Sequence, residues 1–169
     1  MISIGVVLQT QINDAVYTST QNNIFEPSML LEGEKMKTFD FEEGNGPVPA
    51  HRHRNPDGFI GGWVANTASV ADTATVGTEA RVFGNARVFG NAQIFDYANV
   101  FGEAWVFNSA HVFGNARVYG EARVFGESEV SGNARVFGTA QVSGETQVSG
   151  DKEISGHLPA CPGQSVLGW

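Results

Sequence analysis

Four histidines and one cysteine are the residues of this 169-residue chain best suited to metal or nucleophilic chemistry. His51 and His53 stand one residue apart in Ala-His-Arg-His-Arg. An extended strand projects residues at that spacing to the same side, where they offer two nitrogen ligands to a metal. Arg52 and Arg54 flank them and oppose a bound cation, and an open zinc site needs about three protein ligands. His111 stands alone in Ala-His-Val-Phe-Gly-Asn, a placement that suits an exposed structural position better than a general base. His157 precedes Leu-Pro-Ala-Cys-Pro and reads as part of a C-terminal cap. Cys161 has no base beside it in sequence to generate a thiolate. Glu103, Glu121, Glu127, Glu145 and Asp151 fall at predicted corners, where solvation accounts for them. No phosphate-cradling glycine loop occurs, so the residues imply neither cofactor nor resident metal.

The element that must position these groups is a six-residue repeat running without a gap from Gly62 to Gly156. Ala-Arg-Val-Phe-Gly-Asn occupies 80–85 and again 86–91, and later units vary it, as in Ala-Arg-Val-Tyr-Gly-Glu. A fixed short period decides a fold before any single residue is read. Sixteen Val or Ile centres fall every six residues from Val64 to Ile154. Two residues before each centre sits a small residue, with Lys152 the exception in size. Residues two apart share a strand face, so the small residue and the centre point inward together. Two residues after each centre stands Gly, Asn or Asp, except at Thr78; these types tolerate the left-handed backbone of a sharp corner. Short strands joined by tight corners make a flat-sided coil, and three units close a triangle of 18 residues.

These units resemble the hexapeptide-repeat family of bacterial transferases and their relatives. The resemblance covers 62–156 and implies an all-β fold, a left-handed parallel β-helix. It is a triangular prism of about five coils of three hexapeptides, each adding about 4.8 Å along the axis. The handedness rests on the resemblance alone, because parallel crossovers are otherwise right-handed. The family's acyltransferases use a histidine on a loop ejected from the coils, at a groove between subunits. This chain has no such insertion, and His111 is its only coil histidine. Carbonic anhydrase relatives need three histidines around zinc, which the coils do not supply. The Gly-Pro-Val-Pro-Ala-His-Arg-His entry, leading into Ala-Arg-Val-Phe-Gly-Asn arrays, also resembles small hexapeptide-repeat proteins of tailed bacteriophages and prophages.

Residues beside each centre face outward in this arrangement, and the 18-residue turn sorts them into three ladders. One carries Phe83, Phe101, Tyr119 and Phe137 beside Arg81, Arg117 and Arg135. The second carries Phe89, Phe107 and Phe125 beside Arg87, Trp105 and Arg123. The third has Phe95 and Phe113 beside His111 and Glu129. Stacked aromatics with Arg stiffen a sheet through ring and cation–π contacts, and contiguous exposed patches mark interfaces. The ladders therefore point to a homo-oligomer, a side-to-side trimer favoured, or to a protein partner. A phage-type scaffold directed at a host or its defences is the leading expectation. A His111-dependent acyltransferase and a virion or tail component are the alternatives.

The formal charge of −8 argues against general nucleic-acid binding, which leaves a basic footprint, and against docking on anionic lipid. One cysteine excludes an internal disulfide framework and fits a reducing compartment. The apolar run near Met1 lacks a basic flank and is too short to span a bilayer, so the expected location is the cytoplasm of a bacterial host. Residues 1–35 form an N-terminal extension, with a short strand over Ile2–Leu8 and a loop with a helical turn over Asn22–Glu34. Glu32-Gly33-Glu34-Lys35-Met36 is what a purine-rich ribosome-binding site gives when translated, which makes Met36 a candidate start. Residues 36–61, with turn signals at Gly44-Asn45-Gly46-Pro47 and Asn55-Pro56-Asp57-Gly58, and 157–169 read as caps for the open ends of the coil.

Overall fold

The computed structural model describes residues 37–42 and 44–156 in full, and the backbone of 11–12, 15–16 and 165–166. The expectations for Ile2–Leu8, Asn22–Glu34, Met36, His157 and Cys161 lie outside the described residues. The chain divides into two compact units, Met1–Lys35 and Met36–Trp169. Within the first, β1 (Gln11–Ile12) pairs antiparallel with β2 (Ala15–Val16).

The second unit is a parallel β-solenoid of about five coils, all-β, with no helix among the described residues. It opens with β3 (Thr38–Phe39), β4 (Val48–Arg54) and β5 (Ile60–Ala65). Two-residue strands then follow every six residues, from β6 (Ser69–Val70) to β20 (Glu153–Ile154). Each pairs in parallel with strands 18 residues away, as Asn99 does with Arg81 and Arg117. Three sheets result. The first face carries Trp63, Arg81, Asn99, Arg117, Arg135 and Glu153 in its strands; the second carries Ser69, Arg87, Trp105, Arg123 and Gln141. The third carries Thr75, Gln93, His111, Glu129 and Gln147, and β21 (Ser165–Val166) extends it by pairing with Gln147–Val148.

The inward column explains why this sequence folds this way. From Val76 to Val148 every centre is buried, and so are the alanines from Ala74 to Ala140. Val is stiff at χ1 and suits a strand, and each one buried contributes about 1.5–3 kcal/mol. Where a hydroxyl replaces alanine it finds a partner within its own corner. Ser128 Oγ donates to the Phe125 carbonyl at 2.9 Å and Thr146 Oγ1 to that of Ser143 at 2.7 Å. Lys152 differs: its Nζ is buried with no hydrogen-bond partner among the described residues.

From Gly84 to Gly150 the corners hold the left-handed residue the repeat calls for, with Asp96 at φ 53° and Asn108 at φ 61°. The first three corners, at Asn66, Asp72 and Thr78, contain none. They close instead as ordinary turns in which Ala68, Ala74 and Ala80 donate back to Ala65, Ala71 and Gly77. Thr67 and Thr73 hydroxyls then donate to the carbonyls of Gly84 and Gly90 in the next coil. A turn with right-handed central residues needs no glycine, so Asn66-Thr67, Asp72-Thr73 and Thr78-Glu79 can stand where most later corners begin with glycine.

The N-terminal edge is covered in two ways. On the first face β4 pairs antiparallel with β5, and β3 with β4. On the third face side chains take over: His53 Nε2 donates to the Ala74 carbonyl at 3.0 Å, and Asn55 bonds the backbone of Val76. Gly44, Gly46 and Gly58 carry the positive φ expected of the two turns in this segment.

Candidate interaction surface

Five aromatic residues on the first face form one column. Phe41, Phe83, Phe101, Tyr119 and Phe137 stack with centroid spacings of 4.7, 4.8, 4.9 and 5.2 Å. The strand spacing of about 4.8 Å imposes this separation, and the last three pairs lie within 7° of parallel. On the second face Phe89, Phe107 and Phe125 repeat the pattern at 4.9 Å. On the third face Phe95 and Phe113 form no ring pair among the described residues. There Phe95 instead packs close to the backbone of Gly77.

Stacking changes what these rings present. Their faces are covered by the stacked rings of neighbouring rungs, on both sides for Phe101, Phe107 and Tyr119 and on one side for Phe125 and Phe137. All five are half-buried. They show solvent their ring edges, which carry the positive side of the quadrupole. Phe83, expected to face solvent, is buried at 4% exposure. The N-terminal segment lays Phe41 on its free face, and Phe41, Ala50, Ala65 and Phe83 make a small second core.

The arginines do not all lie on the phenylalanines. Arg87 and Arg123 sandwich Trp105, with guanidinium carbons 5.1 and 5.3 Å from the ring. Arg81 lies over Phe39 at 5.4 Å and pairs with Glu42 at 3.3 Å. Arg135 pairs with Glu153 at 3.0 Å. Arg117 is exposed and has no ion pair among the described residues.

The histidine candidates separate. A register shift between Arg52 and Arg54 breaks the alternation of β4, so His51 is exposed and His53 buried. His51 Nδ1 lies 3.0 Å from Asn66 Oδ1. The carbonyl partner of His53 Nε2 requires a proton on that nitrogen. The pair is thus not presented to a single ion. His111 sits half-buried in a rung between Gln93 and Glu129. No three His, Cys, Asp or Glu side chains converge as metal ligands among the described residues, and no helix there is long and apolar enough to cross a membrane.

Sequence reasoning about ladders passed over the most exposed large apolar side chains among the described residues. These are Phe59 at 73%, Tyr97 at 64% and Ile60 at 55%. Tyr97 was detectable: Asp96-Tyr97 stands where the neighbouring units have Gly90-Asn91 and Gly102-Glu103. It walls an open groove of about 530 Å³ on the first face, together with Phe101, Arg81 and Arg117.

A triangular parallel coil with stacked outward ladders defines the class as a β-solenoid repeat protein. Residues 80–96 and 130–144 match the family model described as the YdcK beta solenoid repeat, so these stretches are similar to that repeat. No curated protein and no solved structure matches the chain.

Proposed function

We propose that this chain is a non-catalytic β-helix scaffold that acts by self-assembly and by binding a protein partner through its outward Phe, Tyr and Arg faces. The observation that carries this reading is the unbroken aromatic column from Phe41 to Phe137, edged by Arg81, Arg117 and Arg135. Stacked rings and inter-coil hydrogen bonds hold these side chains in place before any partner arrives. Docking then costs little conformational entropy, and aromatics with arginine are the side chains that dominate protein interfaces. The resemblance to transferase-like, phage-type hexapeptide-repeat proteins adds finer content: an oligomeric rod in the bacterial cytoplasm, directed at a host protein.

Affinity capture from the bacterial host on the full chain, read by mass spectrometry, tests this. The expected result is a set of proteins retained by the chain and lost in the Phe101→Ser, Tyr119→Ser variant, whose circular dichroism stays unchanged. Acetyl-CoA binding, with activity abolished in His111→Ala, would overturn the reading in favour of an acyltransferase.

A further inference from the structure

The groove beside Tyr97 exists because the repeat is broken there twice. The strand row of the first face runs Arg81, Asn99, Arg117, Arg135, so Asn99 is the short residue between two guanidiniums. Its amide donates to the Tyr97 carbonyl at 2.8 Å, which folds it down and leaves a notch. In the same coil the corner residue is Tyr97, exposed and projecting, where the next two coils have Asn115 and Asn133. A knob and a hole therefore lie side by side, two residues apart, in one coil.

The charges around them follow the same order. Glu79 lies 18 residues before Tyr97, one coil toward the N-terminus in the corner column. Arg117 pairs with Asn99 one coil toward the C-terminus. Both line the groove, and neither has an ion pair among the described residues. A two-fold axis perpendicular to this face, midway between Tyr97 and Asn99, exchanges the positions of Tyr97 and Asn99. It also exchanges those of Glu79 and Arg117, and those of Arg81 and Asn115.

We infer that the occupant of this groove is a second copy of the chain, docked antiparallel about that axis. The inference rests on the assembly reading above and names its contact. Tyr97 of each copy fills the notch over the partner's Asn99, and Glu79 of each meets the partner's Arg117. Arg81, already held by Glu42 at 3.3 Å, faces the partner's Asn115. The Asn115 amide nitrogen is engaged with Asn133 at 3.2 Å, which leaves its oxygen to accept. An isologous contact requires that if one residue meets another, the second meets the first. The pattern satisfies this three times, and a three-fold axis does not produce it.

Sedimentation velocity and native mass spectrometry of the full chain test the inference. The wild type is expected to be a concentration-dependent dimer. Asn99→Arg restores the repeat's own Ala-Arg-Val-Phe and so keeps the fold, but fills the hole; it is expected to be monomeric. Glu79→Arg and Arg117→Glu each place like charges together at both ends, and each is expected to weaken the dimer by about tenfold or more. An equimolar mixture of these two variants places opposite charges at both ends again, so mixed dimers should reappear. A trimer indifferent to all three variants, or a mixture that fails to recover, overturns the two-fold contact. The assembly reading survives such a trimer if Phe101→Ser, Tyr119→Ser disrupts it. A monomeric wild type that captures no protein overturns both.

Discussion

The side-chain amide of Asn55 stands against Val76 where a preceding coil would lie. It donates to the Val76 carbonyl at 3.1 Å and accepts from its N–H at 2.9 Å. In a parallel rung the N–H and C=O of one residue point to the same neighbour, so the first rung of a face exposes both to whatever precedes it. A primary amide carries one donor and one acceptor side by side and reproduces a peptide group.

Asn55→Ala should therefore leave two buried backbone groups unpaired and cost about 1–3 kcal/mol. Asn55→Asp keeps an acceptor for the N–H but sets a carboxylate against the Val76 carbonyl, so it should cost at least as much. Urea unfolding measures the loss. Faster hydrogen exchange at the Val76 amide, with that of Val118 unchanged, would locate it at this end.

The period-six pattern of Val and Ala was legible because every inward residue meets a like residue 18 positions on, so composition and packing repeat together. The sorting of Phe83, Phe89 and Phe95 onto three faces followed from the same arithmetic and holds in the structure. The cap was not legible in that way. Asn55 reaches Val76 and His53 reaches Ala74, each 21 residues away, with no period to announce the contact. The bulge in β4 that turns His53 inward is likewise set by pairing with β5. Phe83 was misjudged because its cover, Phe41, comes from outside the repeat. Tyr97 was passed over because ladders were sought in sameness, whereas Asp96-Tyr97 and Asn99 matter as departures.

Corner glycines should differ in cost according to what lies beneath them. At Gly102, φ is 70° and an added Cβ would come within 2.9 Å of the Gly120 nitrogen. At Gly150, φ is 74° but nothing among the described residues lies within 4 Å. Gly150→Ala should thus cost only the left-handed backbone penalty, about 1–2 kcal/mol. Gly102→Ala adds a backbone clash between coils and should cost about 2–4 kcal/mol. Equal midpoints in thermal unfolding would mean that the coils separate without penalty.

The aromatic column should contribute stability as well as surface. Phe101 stacks on Phe83 at 4.8 Å and on Tyr119 at 4.9 Å. Each such pair is worth about 0.5–1.5 kcal/mol beyond burial, so Phe101→Leu should cost about 1–3 kcal/mol. Tyr119→Phe keeps both stacks and should be close to neutral. Chemical denaturation of the two variants separates ring stacking from apolar area, since leucine retains most of the latter.

The last coil holds the one charged residue at an inward position of the repeat among the described residues. Ala80, Ala98, Ala116 and Ala134 are fully buried at this place in the first face, and Lys152 follows them 18 residues on. Its stem continues the apolar column, but its Nζ is buried and unpartnered among the described residues. A buried donor without a partner costs about 1–3 kcal/mol. Lys152→Ala restores the repeat and removes that cost, so it should stabilise the chain by about 1 kcal/mol or more. The stabilisation should appear as a higher urea midpoint with an unchanged slope, since the change relieves the native state and leaves the exposed area of unfolding nearly the same. Lys152→Met keeps the stem and should stabilise similarly. A loss of stability in both variants would reverse the assignment and place a specific anionic or carbonyl partner on this amine.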